Sequence, residues 1–204
     1  ACRKSVVMVG KLTKCEKCSG WHISIATGFV IGREGIIATN RHVIAKDERT
    51  KAIAVQTWDG RLFPIEEVLA VSKTNDLAVL QVDADDLAPL PIASRAPVGT
   101  QVFVIGHPEK HLYTMTDGIV SGQFLRRGGE DGSKYREMTV TADFARGSSG
   151  APVLDCTGAV VGIVRRITPV FADQQKGIKT NVQMVWKRCA PSSSLLELLR
   201  EPSK

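Results

Sequence analysis

Three short stretches with reactive side chains occur in a fixed order along this chain of 204 residues. His42 follows the sequence Thr-Asn-Arg, Asp76 precedes the apolar run Leu-Ala-Val-Leu, and Ser149 lies within Gly-Ser-Ser-Gly-Ala-Pro. A serine hydroxyl is a weak nucleophile at neutral pH, so an imidazole has to accept its proton and a carboxylate has to orient that imidazole. These three residues are therefore candidates for one nucleophilic site, and the fold has to bring them together.

The order of the three residues restricts the fold. An α/β-hydrolase has the order serine, acid, histidine, with its nucleophile in a Gly-x-Ser-x-Gly motif, whereas position 151 here is alanine. Subtilisin-type enzymes have the order aspartate, histidine, serine. Both folds are therefore excluded. Gly147, two residues before the serine, permits a backbone turn that directs the N–H groups of Gly147 and Ser149 into one oxyanion hole.

Short β-branched runs separated by turn residues make up most of the chain, and helical periodicity is scarce. This pattern predicts an all-β fold, in barrels or a sandwich. The Asp59-Gly60 pair between two runs is typical of a hairpin turn. The clearest helix is Ser192–Arg200, which has a serine cap, a leucine face and a basic last turn. Examples of the β-branched runs are Val6–Val9, His22–Ile31, Gly35–Thr39, Ala52–Thr57, Leu77–Val82, Gln101–Ile105, Met138–Ala142, Ala159–Val164 and Ile178–Val185.

Together these segments resemble the trypsin- and chymotrypsin-like serine proteases, most closely the bacterial high-temperature-requirement (Deg-type) branch. The resemblance implies two six-stranded antiparallel β-barrels followed by a C-terminal helix. It also implies that Ser149 attacks, His42 transfers the proton, Asp76 orients His42, and the Gly147 and Ser149 amides bind the oxyanion, without a metal or cofactor. The supporting segments, in family order, are Ala26–Ile31, Gly35–Val43, Val104–Pro108, Thr116–Gly122 and Gly158–Val164.

Pro89, Pro91 and Pro97 break strand pairing and predict a connection between the two barrels. On this division the candidate site lies in the cleft between barrels, a common place for a binding site. We expect one trypsin-like peptidase domain over 1–204, with no appended peptide-binding domain. Its parts are a first barrel over about 5–88, a second over about 98–188 and a helix over about 192–201.

Three further residues are candidates for substrate binding. Asp143 lies six residues before Ser149, the spacing of the acidic residue in the trypsin specificity pocket, and this predicts a preference for Lys or Arg. The Deg-type branch instead has an apolar pocket, and Arg146 could neutralise Asp143 or bind an acidic substrate group. Thr180, in the strand 177–182, resembles the segment that pairs with bound substrate as an added β-strand.

The cysteine count is odd, so complete internal pairing is impossible. Cys15-x-x-Cys18 with His22 and Cys2 nearby could supply four zinc ligands. Structural zinc usually shows two such Cys pairs, and here there is one, so we expect a local disulfide or free thiols and no metal. Cys156 and Cys189 could also meet, because sequence does not determine connectivity. The five cysteines are Cys2, Cys15, Cys18, Cys156 and Cys189.

The net charge of +6 comes from positive residues scattered along the chain, not from a clustered stripe. We therefore expect polypeptide substrates and no nucleic-acid partner. No run of 18 apolar residues is present, so no membrane span is predicted. The first residues lack the apolar region of a secretory signal, which leaves a cytoplasmic product or a mature form. We expect a secreted or periplasmic (bacterial cell-envelope) protein.

Two other functions stay open at this point. The same fold could serve as a catalytically weak peptide-binding or scaffolding module, although an intact triad argues against this. A zinc- or redox-responsive protein built on Cys2, Cys15 and Cys18 is the third possibility. Labelling of the serine, a metal assay and a count of thiols distinguish these alternatives from a protease.

Overall fold

The computed structural model describes residues 2–128, 132–175 and 178–200, which form two antiparallel β-sheets and a C-terminal helix. In the first sheet the strands pair in the order β5-β4-β1-β2-β3-β7-β6. A short helix, α1 (Arg41–Ile44), directly follows β3. The seven strands are β1 (Val6–Lys14), β2 (Trp21–Gly32), β3 (Ile36–Asn40), β4 (Thr50–Gln56), β5 (Leu62–Pro64), β6 (Glu67–Ser72) and β7 (Leu77–Gln81).

The second sheet is a closed six-stranded barrel in the order β10-β13-β12-β11-β8-β9. The helix α2 (Ser192–Arg200) follows its last strand, and 3₁₀ turns occupy Cys2–Ser5 and Pro108–Lys110. The strands of this barrel are β8 (Gln101–Gly106), β9 (Thr114–Arg127), β10 (Lys134–Val140), β11 (Pro152–Leu154), β12 (Val160–Gln175) and β13 (Ile178–Pro191).

The predicted all-β class with a C-terminal helix is confirmed, but the first sheet has seven strands where six were expected. Pro64 has no N–H to donate to a strand ladder. The stretch 62–72 therefore forms two strands, the first of which ends at Pro64. β5 pairs with β4, whereas β6 pairs with β7. Two short strands, for which no bounds were predicted, therefore lie between β4 and β7. Residue 201 of the predicted helix and residue 177 of the predicted strand 177–182 lie outside the described residues.

Successive side chains of a strand point to opposite faces of the sheet. Neighbouring residues of one strand therefore pack into different cores. In β7, Ala78 and Leu80 point into the core of the first sheet. Leu77 and Val79 instead join a second cluster that includes Ile163 of the barrel. This shared cluster packs the two sheets against each other, while a third core fills the barrel. The near-continuous apolar run of β7 follows from burial of both its faces.

The helix α2 packs on the shared cluster through Leu195 and Leu198, which are almost fully buried. Residues 83–100 connect the sheets and contain no strand beyond the single bridge between Ile92 and Val160. Asp59 and Gly60 form the predicted hairpin turn between β4 and β5. No helix in the described part of the chain has the length and apolar character needed to cross a bilayer.

Candidate active site

His42 lies in α1, just after β3 ends at the buried Asn40. The His42 Nδ1 atom is 2.7 Å from Asp76 Oδ2, and the His42 backbone N–H donates to Asp76 Oδ1 at 3.0 Å. Both carboxylate oxygens therefore contact the same residue. This arrangement fixes the imidazole with its Nδ1–H toward Asp76 and leaves Nε2 available as a base.

Asp76 occupies the turn between β6 and β7, in a left-handed backbone conformation with φ of +56°. Its carbonyl accepts the Arg41 N–H at 3.1 Å and the Asn40 Nδ2 group at 3.1 Å, which ties the turn to the start of α1. Burial alone would raise the pKa of the Asp76 carboxyl. The hydrogen bonds and charge of His42, together with Arg165, outweigh burial and hold this pKa below its usual value.

Arg165, in β12, is a neighbour of Asp76 that the sequence did not predict. Its Nε atom lies 3.6 Å from Asp76 Oδ2, and its Nη2 group donates to the Thr74 carbonyl at 3.3 Å. The guanidinium also stacks over the Tyr135 ring, 5.0 Å from the centroid. The only sequence feature that could have indicated a role for Arg165 is the position of Arg165 and Arg166 immediately after the apolar run of β12.

Ser149 lies in the turn that precedes β11, at the junction of the two sheets. Gly147 has a φ of +100°, and a Cβ there would come within 2.2 Å of the His107 carbonyl oxygen, so only glycine fits. Thr27 of β2 binds this turn at two points, since its Oγ1 donates to the Gly147 carbonyl at 2.8 Å and its N–H donates to the Ser149 carbonyl at 2.9 Å. The first sheet thus holds the serine turn of the second.

The side chains of His42, Asp76 and Ser149 line one cavity of about 460 Å³. Gly147 borders a smaller neighbouring cavity of about 190 Å³ together with His42 and Ser149. Among the described residues, hydrogen bonds link His42 to Asp76 but none links His42 to Ser149. Catalytic hydrogen bonds to the nucleophile are often long without substrate. The remaining lining residues of the larger cavity are Phe144, Ala145, Arg146, Val164, Arg165, Arg166 and Ile167.

Of the three predicted substrate-binding residues, only Arg146 lines this cavity. The Asp143 side chain is 81% exposed and forms an ion pair with Lys187, so it does not lie at the base of a buried pocket. Thr180 is exposed and pairs with Asp173 near the end of the β12–β13 hairpin. The strand that borders the cavity is instead the 164–167 part of β12.

All five cysteines are free thiols. Cys156 is exposed whereas Cys189 is fully buried, and burial raises the pKa of the Cys189 thiol far above its usual value. Cys15, Cys18 and His22 come together in the turn between β1 and β2. Hydrogen bonds, first from the Cys18 backbone and then from its side chain, lower the pKa of Cys15 to about 7. Cys2 is not part of this group.

Two packed antiparallel β-sheets with histidine, aspartate and serine in the cleft between them define the chymotrypsin-like class. The chain belongs to the trypsin-like peptidase domain family, whose family model matches residues 26–163. A solved structure of a serine endoprotease from Yersinia pestis has the same fold, with a TM-score of 0.68 at 22% identity. That alignment covers 97% of this chain and 62% of the Yersinia chain.

Curated relatives include Deg- and HtrA-type proteases. Protease Do-like 1, chloroplastic, of Arabidopsis thaliana is 36% identical over 170 residues, which cover 78% of this chain and 37% of the relative. A probable periplasmic serine endoprotease DegP-like of Hahella chejuensis is 35% identical over 146 residues, covering 71% and 30%. Serine endoprotease DegS of Haemophilus influenzae is 30% identical over 142 residues, covering 69% and 41%. The chain thus spans less than half the length of each of these three relatives.

Proposed function

We propose that this chain is a serine endopeptidase in which His42, Asp76 and Ser149 act as a catalytic triad. The observation that carries the proposal is the paired contact of His42 with both Asp76 oxygens, at 2.7 and 3.0 Å, in the cavity that Ser149 also lines. Family membership supports the same conclusion. We extend the proposal to the whole chain, 1–204, as one peptidase domain with barrels over about 5–88 and 98–188.

In the proposed reaction the Ser149 oxygen attacks the substrate carbonyl carbon while His42 Nε2 accepts the hydroxyl proton. The carbonyl oxygen becomes an oxyanion, which the Gly147 and Ser149 amide N–H groups bind. His42 then protonates the leaving amine and the peptide C–N bond breaks. Water, deprotonated by His42, hydrolyses the acyl-enzyme and restores Ser149. Asp76 stays ionised throughout and stabilises the imidazolium.

The charge of the cleft bears on which substrates are cleaved. Arg146, Arg165 and Arg166 all line the cavity, where Asp76 is the only acidic residue among those that the structure describes. Within the described chain, Arg165 alone of these arginines has an ion pair. We propose that acidic side chains next to the cleaved bond are favoured over basic ones, because two arginines are available to bind them. The preference for Lys or Arg stays an untested prediction, for which Asp143 is poorly placed.

We propose polypeptides as substrates, and a secreted or periplasmic location. The names of two relatives, chloroplastic in Arabidopsis and periplasmic in Hahella, support a location outside the cytoplasm. Fractionation of the native source, with detection of the chain by antibody, tests the location. Recovery in the cytoplasmic fraction alone would contradict it.

Labelling with a fluorophosphonate probe tests the triad. A competent serine nucleophile forms a covalent adduct, so the wild-type chain should be labelled at Ser149 and the Ser149→Ala variant should not. The Ser148→Ala variant is the matched control, because Ser148 is the adjacent hydroxyl and points into the buried interior. Equal absence of label in the wild type and in Ser149→Ala would favour the peptide-binding scaffold instead.

Cleavage of a mixed peptide library tests the preference at the cleaved position. We expect peptides with Glu or Asp beside the cleaved bond to be cut faster than those with Lys or Arg, and Arg166→Glu should reverse the order. Asp143→Asn should leave the order unchanged. Faster cleavage after Lys or Arg that disappears in Asp143→Asn would instead establish the trypsin-like preference.

A further inference from the structure

The turn between β1 and β2 brings the sulfur atoms of Cys15 and Cys18 close together. The Cys15 N–H donates to the Gly20 carbonyl at 2.9 Å and closes the turn. Ser19 has a φ of +54°, and a Cβ at Gly20 would lie 3.3 Å from Cys18 Sγ. The chain therefore bends tightly around the Cys18 sulfur, and a side chain at position 20 would crowd it.

Cysteine binds metal as the thiolate, so the two sulfurs of this turn become ligands when they lose their protons. His22 lies opposite Thr13 at the start of β2, and this register brings its ring to the turn. Its Nε2 atom is 3.1 Å from Cys18 Sγ.

The three side chains offer one ligand atom each, and these atoms all lie within 4.8 Å of one another. In a tetrahedral zinc site, with Zn–S of about 2.3 Å and Zn–N of about 2.0 Å, ligand atoms are about 3.5–3.8 Å apart. The distances between the three ligand atoms need to change by about 1 Å at most to reach this geometry, and the Cys18–His22 distance has to lengthen. Exposure of Cys18 and His22 leaves their side chains free to make that adjustment.

We propose that Cys15, Cys18 and His22 bind one Zn²⁺ through two thiolates and one imidazole nitrogen. Two sulfurs and one nitrogen form a donor set that suits zinc. The thiolates neutralise the charge of the ion, the thiol protons pass to solvent, and a water molecule completes the coordination. Cys2 is not a ligand, because its sulfur lies beside Gly158, in the turn between β11 and β12.

One residue of the proposed zinc site also lines a cavity. His22 borders a cavity of about 430 Å³ that Arg146 and Gly147 border as well. An ion bound by Cys15, Cys18 and His22 would therefore restrain one side chain of that lining. The site does not depend on the proposed protease activity, and its test uses metal binding as the readout.

Titration of the reduced, metal-free chain with Zn²⁺ in competition with a chromophoric chelator measures the affinity. We expect one equivalent to bind the wild-type chain, and Cys18→Ser and His22→Ala to weaken binding by more than about 100-fold. Co²⁺ in place of Zn²⁺ should give a sulfur-to-cobalt charge-transfer band in the wild type. Cys156→Ser, which removes another exposed thiol far from the turn, is the matched control and should bind as the wild type does.

Two results would overturn the zinc proposal. One is wild-type affinity no greater than that of Cys18→Ser in the presence of reductant. The other is a chain that, isolated from its native source, contains a Cys15–Cys18 disulfide and no bound zinc. Circular dichroism of each variant verifies that the fold is intact. Because Ser149 is unchanged in every variant, labelling with the fluorophosphonate probe separates failure of this proposal from failure of the proposed triad.

Discussion

At the scale of single residues, two hydrogen bonds join His42 to the Asp76 carboxylate in the cleft. The carboxylate is largely buried, its side chain only 15% exposed, and yet its pKa lies below the usual range. An ionised carboxylate at this depth is stable only because His42 and Arg165 supply compensating hydrogen bonds and charge. The orientation of the imidazole therefore depends on Asp76 keeping its negative charge.

Replacement of Asp76 by asparagine should lower kcat by about 10⁴-fold, because an amide cannot hold the imidazole in the tautomer that accepts a proton from Ser149. KM should change little, since Asp76 does not contact the peptide directly. Steady-state cleavage of a fluorogenic peptide measures both constants. Asp143→Asn is the matched control, as it removes an exposed carboxylate outside the cavity, and it should retain wild-type kcat.

The lowered pKa of Asp76 also predicts how stability depends on pH. A carboxyl whose pKa is lower in the folded state than in the unfolded state binds fewer protons when folded, so acid favours unfolding. Its stabilising contribution is fully present above the ordinary carboxyl pKa and disappears as the pH falls through the lowered value. Urea unfolding at several pH values should show that wild-type stability falls more steeply in this acid range than that of Asp76→Asn. Parallel curves for the two proteins would contradict the prediction.

Gly147 and Gly60 provide a second test at this scale, because both have positive φ, +100° and +90°. A Cβ at Gly147 meets the His107 carbonyl oxygen at 2.2 Å, whereas nothing lies within 4 Å of one at Gly60. Gly60→Ala should cost about 1–2 kcal/mol in unfolding free energy, the cost of the left-handed conformation alone. Gly147→Ala should cost more and reduce kcat at least about 100-fold, as the oxyanion turn shifts. Equal losses in both variants would show that the clash is unimportant.

At the scale of secondary-structure elements, long apolar runs were predictable and short or bent strands were not. β7 is apparent in the sequence because both its faces are buried, and α2 because its leucines recur with helical spacing. β5 has only three residues and ends at Pro64, so it carries little periodic signal. The outer half of the β12–β13 hairpin is exposed, and burial does not impose an alternating pattern there.

The contribution of α2 can be measured by two leucine substitutions in the same helix. Leu195 is fully buried in the cluster shared by the sheets, whereas Leu199 is 44% exposed. Leu195→Ala should lower the unfolding free energy by about 2–5 kcal/mol, through lost burial and the cavity that remains. Leu199→Ala should change it by less than about 0.5 kcal/mol. Thermal or urea denaturation provides both values, and similar losses in the two variants would mean that α2 does not dock as described.

At the scale of the whole molecule, the candidate site exists only because two sheets meet. His42, Asp76 and Ser149 were recognisable in the sequence because each lies in a short motif with a chemical requirement. Thr27 and Arg165 were not, because their importance comes from contacts across the junction with residues distant in sequence. Asp143 was expected to lie in a pocket on its spacing alone, and Lys187 of β13, a long-range neighbour, binds it at the surface.

Thr27 is a contact through which the first sheet holds the turn of Ser149, the proposed nucleophile. Thr27→Val keeps the shape of the side chain but removes the hydroxyl that donates to the Gly147 carbonyl. A buried carbonyl without a hydrogen-bond donor lowers the unfolding free energy by about 1–3 kcal/mol. The turn should therefore shift until the Gly147 carbonyl meets another donor. A misplacement of this kind can lower kcat by about 100-fold, and KM should change little because the cavity wall is intact.

Thr27→Ser should recover most of the lost kcat, because it restores the donor. Thr57→Val is the matched control, since Thr57 is another buried threonine, in the turn between β4 and β5, whose hydroxyl binds Asp59 and the Arg61 carbonyl. It should lose stability without losing kcat. The two variants are compared under conditions in which the same fraction of each is folded. If Thr27→Val and Thr57→Val then have the same kcat, Thr27 contributes only to stability. A selective loss of kcat in Thr27→Val, with recovery by serine, would mean that the junction between the sheets sets the geometry of the nucleophile.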